Sequence, residues 1–159
     1  MDTIEMTDST SNIIKAFKAI DFVNRFESIT THLDFNNRMT RIDKKEILYR
    51  LSKLGYEFKV ITPGRDFYFD SKTDNWRFRF SFNLNGGVIL PYIYVYDKHD
   101  NKIHYENSNL IYTYKYLIDD LDKIMNPSTV FCNYEEFDEI ISGFLKLYED
   151  FKVEYLMIS

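Results

Sequence analysis

Trp76-Arg77-Phe78-Arg79-Phe80-Ser81-Phe82-Asn83-Leu84 alternates large apolar groups with two arginines, a serine and an asparagine. Successive side chains of a strand point to opposite faces, so the stretch sets its apolar groups on one face and its polar groups on the other. One face is to be buried; the other is left for solvent or a partner. The pattern continues outward, with twelve Tyr, Phe and Trp residues between Tyr56 and Tyr96, mostly at alternating positions. Such spacing predicts a twisted antiparallel sheet built from aromatic residues.

Turn signals divide this region into strands. Thr62-Pro63-Gly64-Arg65 sits between Tyr56–Ile61 and Phe67–Asp70, with proline and glycine at the central positions of a type II turn. After the polar segment Ser71–Asn75, the strand Trp76–Leu84 runs into Asn85-Gly86-Gly87 and returns as Val88–Tyr96, and Asn-Gly between apolar runs predicts a hairpin. A two-residue loop at Asn85-Gly86 pairs Phe82 with Ile89, Phe80 with Pro91, Phe78 with Ile93 and Trp76 with Val95, and places Arg77 opposite Tyr94 and Arg79 opposite Tyr92. A three-residue loop that includes Gly87 sets Ile93 and Val95 beside the arginines instead. The first is preferred because it separates polar from apolar groups. Pro91 lacks an N–H, which marks its side of the strand as an edge or bulge. A fifth strand is expected near Ile103–Tyr105, after the turn Lys98-His99-Asp100-Asn101.

Helical spacing flanks the sheet. Ile13, Phe17, Ile20, Val23, Phe26, Ile29 and Leu33 mark one face of a continuous N-terminal helix capped by Ser9, Ser11 or Asn12. Asp43 and Glu46 open a second helix with the stripe Ile47, Leu48, Leu51 and Leu54, and Gly55 stops it. Leu110, Tyr114, Leu117, Ile118, Leu121, Ile124 and Met125 predict a helix ended by Asn126-Pro127. Asn133, with Glu136 as capping-box partner, begins a long helix whose buried stripe is Phe137, Ile140, Ile141, Phe144, Tyr148 and Phe151. The tail Val153–Ile158 fits either a longer helix or a terminal strand. Helices, then a meander of four to five strands, then helices packed on the sheet make an α+β fold. At 159 residues with five glycines and three prolines, the chain reads as a single domain with short connections, and residues 1–10 as a flexible N-terminus.

Charge and cysteine content narrow the classes of function. Met1–Gly64 carries ten Lys/Arg against nine Asp/Glu, and Arg65–Ile118 seven against six; from Asp119 onward ten acids face three lysines. That last quarter repels phosphate backbones and attracts a basic partner, so nucleic acid is not the expected ligand. The start Met1-Asp2-Thr3-Ile4-Glu5 has no secretory signal character, no apolar run approaches a membrane span, and Cys132 has no internal partner for a disulfide. These features fit a cytoplasmic protein.

Chemistry-bearing clusters are sparse. His99 and His104 with Asp97 and Asp100 match no standard metal spacing and read as an exposed polar turn; His32 suits a helix C-terminus. Cys132 precedes a helix cap, but Val130 and Phe131 beside it suggest a structural thiol. Ser142-Gly143 lies inside a helical pattern, not a nucleophile elbow. Asp119, Asp120 and Asp122, and Glu135, Glu136, Asp138 and Glu139, occupy polar positions between buried ones, which gives solvated helix faces and no cleft acid. No glycine-rich phosphate loop is present. Neither a catalytic set, a metal site nor a cofactor is expected. Recognition of a protein remains, and Arg77, Arg79, Tyr92, Tyr94 and Tyr96 form one candidate face, since Tyr and Arg concentrate at interface hot spots. The competing role is structural: an Arg–Tyr ladder steadies any sheet, and a helix can cover those rings.

The acidic α+β domain, the solitary Cys132, the aromatic meander around Trp76–Tyr96, the acidic helix beginning Asn133-Tyr134-Glu135-Glu136 and the missing catalytic set together resemble the small cytoplasmic immunity proteins of bacterial toxin systems, such as contact-dependent inhibition or type VI secretion. The likeness is one of character across the whole chain and rests on no diagnostic motif. It implies a non-enzymatic inhibitor that covers a cognate toxin domain, many such toxins being basic nucleases. The implied partner-binding residues are Arg77, Arg79, Tyr92, Tyr94 and Tyr96 on the sheet, or Asp119, Asp120, Asp122, Glu135, Asp138 and Glu139 on the acidic helices. Two other classes remain open: a small-molecule-binding or enzymatic domain with a pocket between sheet and helices, and a phage-type inhibitor that imitates nucleic acid with rows of carboxylates.

Overall fold

The computed structural model describes residues 8–30, 34–62, 65–103, 108–118 and 129–159. In chain order they form α1 (Asp8–Ala19), α2 (Phe22–Thr30), a 3-10 turn at Phe35–Asn37, α3 (Lys44–Lys53), β1 (Lys59–Val60), β2 (Asp66–Lys72), β3 (Trp76–Asn85), β4 (Val88–Asp97), α4 (Leu110–Leu117), β5 (Thr129–Val130) and α5 (Tyr134–Ile158). The strands make one antiparallel sheet in the order β1-β2-β3-β4-β5. The fold is α+β, as the alternating centre and helical flanks predict.

Alternation decides the core. Phe67, Phe78, Phe80, Phe82, Leu84, Ile89, Ile93 and Val95 are buried on one face of β2–β4, and α5 lies over them with Phe137, Ile141, Phe144, Tyr148, Phe151 and Tyr155. Tyr155 adds a turn to the stripe read from sequence and meets Trp76 edge-on at 5.0 Å; the tail Val153–Ile158 is helical. Phe17 of α1 contacts Phe151 at 4.4 Å, while Phe26 of α2 reaches Tyr114 of α4 at 5.1 Å. Ile47 and Leu51 of α3 join the same cluster. Every described helix therefore contributes to the layer on this side of the sheet.

Local chemistry sets the element ends. Asp43 accepts the Lys45 N–H at 2.9 Å to cap α3. At its other end Gly55 is left-handed (φ 91°), with Gly55 N–H donating to Ser52 O at 3.0 Å and Tyr56 N–H to Leu51 O at 3.2 Å, the paired bonds of a Schellman stop. Asn133 accepts from Glu136 N–H at 2.8 Å, but the Glu136 carboxylate reaches past the cap to Cys132 N–H at 2.8 Å.

Several sequence expectations are corrected. The N-terminal helix is broken at Asp21, whose φ of 55° is a left-handed conformation that aspartate tolerates better than most residues; α1 begins at Asp8, ahead of the proposed Ser11 and Asn12 caps. The helix from Leu110 stops at Leu117 because Ile118 turns extended (φ −85°, ψ 123°). β1 spans only Lys59–Val60. The fifth described strand is Thr129–Val130; of the expected Ile103–Tyr105 strand only Ile103 is described, and there the chain meets β4 through an isolated Tyr96–Lys102 bridge and the bond from Ile103 N–H to Val95 O at 2.8 Å, while His104 and Tyr105 lie outside the described residues. Pro91 does sit where β4 lacks a continuous neighbour. Ile93 and Asp97 donate away from β3, to Ser108 and Asn101, and strand periodicity puts the missing Pro91 N–H on that same side. Residues 1–7 of the expected flexible start, His32, the Pro63-Gly64 turn, His104 and the helix signal of Leu121, Ile124 and Met125 lie outside the described residues.

The β3–β4 register differs from both alternatives weighed. Asn85 pairs with Val88, Phe82 with Pro91, Phe80 with Ile93, Phe78 with Val95 and Trp76 with Asp97. The loop is Gly86-Gly87, with φ of 54° and 81°, and a two-residue loop with positive φ at both positions matches the twist of the strands it joins. Relative to the favoured pairing each partner moves by two residues, so the faces stay as expected while Arg77 meets Tyr96 and Arg79 meets Tyr94.

Candidate functional site

The outward side of the sheet is not covered by any described helix. Its rows follow from the register: Tyr96–Arg77–Lys72, Tyr94–Arg79–Asp70, Tyr92–Ser81–Tyr68 and Leu90–Asn83–Asp66. Asp70 is the hub. It binds Arg79 in a two-point fork, Nε–Oδ1 at 2.7 Å and the second nitrogen to Oδ2 at 3.1 Å, and also accepts from Arg77 at 3.2 Å. Arg77 reaches Asp100 at 3.2 Å as well.

Each cation also lies on a ring. The Arg77 guanidinium is 3.8 Å from the Tyr96 centroid, Arg79 is 4.1 Å from Tyr68, and the Lys102 ammonium is 4.5 Å from Tyr94. Tyr92 and Tyr94 stack at 6.0 Å with their planes 6° apart, and Tyr96 continues the stack at 6.3 Å from Tyr94. Sequence reading thus identified five members that the structure does bring together. It missed Tyr68 and Asp70, whose signal was the same two-residue period but whose partners depend on cross-strand register, and Asp100 and Lys102, which follow β4 outside any strand.

Burial and charge act on Asp70 and Tyr94 of this ladder. Burial works against ionisation of Asp70, yet hydrogen bonds and charge from Arg79 and Arg77 keep its carboxyl below the usual carboxylate range. Burial, then the neighbouring Tyr92 and Tyr96, pushes the Tyr94 phenol up. A lowered carboxyl pKa contributes stability that is fully present above its unfolded value and is lost as pH falls through the folded one. Asp70→Asn is therefore expected to destabilise at neutral pH and to flatten the loss of stability that wild type shows as pH drops below the ordinary aspartate value of 3.8. Urea unfolding midpoints across that pH range measure it; parallel wild-type and variant profiles would refute the Asp70 contribution.

The acidic candidates divide into a paired group and exposed ones. Asp138 pairs with Arg50 at 2.6 Å, and Arg50 also holds Glu46 at 2.8 Å and lies 4.9 Å from the Tyr134 ring. This knot joins α3 to α5. Glu135 stands 3.9 Å from the same guanidinium and is 79% exposed, and Glu139 is exposed. Asp119, Asp120 and Asp122 lie outside the described residues.

Other clusters have structural duties. Tyr148 donates to Ser71 Oγ at 2.9 Å, and Lys152 Nζ to the same oxygen at 3.1 Å while pairing with Glu149 at 2.8 Å. This serine, tyrosine and lysine are brought together across α5 and β2. Burial drives the phenol pKa far up and the ammonium is ion-paired, so the cluster offers Ser71 no base. Burial, followed by Glu136 and Asp34, also pushes the Cys132 thiol up, against thiolate chemistry. His99 is exposed in a turn where Asp97 accepts the His99 and Asn101 N–H groups. Among the described residues no cluster of His, Cys, Asp and Glu could hold a metal, and no helix is long and apolar enough to cross a membrane.

Two of the open depressions are lined by described residues. One of about 450 Å³ lies at the strand ends beside Trp76, Arg77, His99 and Asp100. The other, of about 250 Å³, lies on the outward face between Tyr92, Tyr94, Ser81, Asn83, Asp66 and Ile61. Neither lies between the sheet and the helices. No family model, curated protein or solved structure matches this chain.

Proposed function

We propose that this chain is a non-catalytic inhibitor of the immunity type, which neutralises a cognate bacterial toxin domain in the cytoplasm by docking the outward face of its sheet. The observation that carries the reading is the Tyr–Arg–Asp ladder on the sheet face that no described helix covers. It gathers residue types that dominate interface hot spots on one rigid surface, and internal ion pairs already fix its arginines. Pairing of Asp138 with Arg50, Asp150 with Arg25 and Glu149 with Lys152 weighs against imitation of nucleic acid by a row of free carboxylates.

The test is to purify the chain with the toxin domain encoded beside it and measure the complex by size exclusion and calorimetry. A complex is expected, and Tyr94→Ala should weaken it by roughly tenfold to a hundredfold, as loss of a central aromatic anchor does. Glu135→Lys with Glu139→Lys should change it far less. The absence of any complex sinks the reading, and the reverse ranking moves the docking surface to α5.

A further inference from the structure

We infer that the depression between Tyr92, Tyr94, Ser81, Asn83 and Asp66 receives an arginine side chain of the protein partner; this rests on the docking role proposed above. The sheet supplies its own template. Along the outward side of β3 the positions read Arg77, Arg79, Ser81, Asn83, and along β4 Tyr96, Tyr94, Tyr92, Leu90. In the first half each tyrosine row is filled by an arginine that lies on a ring, Arg79 forking onto Asp70 of β2 and Arg77 bridging Asp70 and Asp100 of the turn after β4. In the second half Tyr92 and the Asp66 carboxylate are present, and among the described residues no guanidinium lies between them, Tyr94 already carrying Lys102 and Tyr68 carrying Arg79.

Ser81 and Asn83 are short, and the space an arginine head would fill is the depression of about 250 Å³. At its edge Asp66 accepts a bond from Asn83 Nδ2 at 2.7 Å. Asn83 is neutral, and among the described residues no cation pairs with Asp66, whereas Asp70 and Asp100 are both engaged by arginine. A carboxylate next to the Tyr92 ring is attractive to a planar cation, which can stack and fork at once. An ammonium satisfies only the point charge.

The test is an NMR titration of the full chain with N-acetyl-arginine methylamide and with its citrulline counterpart, which keeps the shape and loses the charge. Amide shifts at Ser81, Asn83, Tyr92 and Tyr94 are expected to saturate in the millimolar range with the arginine compound. Binding should be about tenfold weaker with citrulline, the loss of one charge-assisted fork. Asp66→Asn, which keeps a bond to Asn83, should bring the arginine compound to the citrulline level. Ser81→Arg, which fills the depression from within, should abolish the response while leaving the rest of the spectrum in place. Equal binding of the two compounds, or arginine binding unmoved by either variant, overturns the inference. The two proposals fail separately: no complex with the toxin domain sinks the docking role, whereas a complex whose Kd ignores both Asp66→Asn and Ser81→Arg sinks only the arginine site.

Discussion

Gly87→Ala is expected to cost at least about 2 kcal/mol more than Gly86→Ala, although both replace a glycine of positive φ in the same loop. The shared left-handed backbone accounts for about 1–2 kcal/mol at either position. What differs is the surroundings. A Cβ on Gly86 meets open space, but one on Gly87 falls 2.2 Å from the carbonyl oxygen of Met39. That carbonyl cannot easily withdraw, because Met39 N–H donates to Phe131 O at 2.9 Å and Phe131 N–H to Gly87 O at 3.0 Å. The alanine must break this ladder or push the hairpin tip off β5. Urea unfolding of both variants against wild type measures the gap at equal m value; equal losses would show that the Met39 approach imposes nothing.

Phe80→Ala is the second large effect, at about 3–5 kcal/mol. Phe80 is wholly buried at the centre of β3 and meets Phe58, Phe69, Phe82 and Tyr148 at centroid distances of 5.8–6.3 Å. These neighbours come from two strands, the segment ahead of β1 and a helix, so the void has no single element that can relax into it. Truncating Tyr94, on the opposite face of the neighbouring strand, should cost about 1 kcal/mol or less. Thermal and urea midpoints of the two variants test the ranking, and a Tyr94→Ala loss as large as that of Phe80→Ala would contradict the assignment of faces.

The strands were legible because alternation over β3 and β4 is strict, and face assignment survives any register error of two. The loop was harder. Asn85-Gly86 and Gly86-Gly87 are both competent turns, so local sequence does not choose between them, and in the folded chain Gly87 lies against Met39, a residue remote in sequence. The break at Asp21 was hidden for another reason: Ile13, Phe17, Ile20, Val23 and Phe26 keep helical spacing straight through it. Two-residue strands such as Thr129–Val130 have no period to detect. At the candidate site, the arginines and tyrosines of β3 and β4 could be read from the alternation. Asp70 as their common acceptor could not, since it depends on how β2 registers against β3. Asp138 looked like a solvated acid because its partner Arg50 belongs to another helix.

The grip of Asp70 on both arginines has a kinetic corollary. Their guanidinium groups are frozen in place before any encounter, so a partner that lands on them need not give up rotamer entropy to organise the contact. Such a saving leaves the speed of arrival nearly unchanged and lengthens residence. Freeing the arginines by Asp70→Ala should then shorten the lifetime of a docked complex far more than it slows its formation.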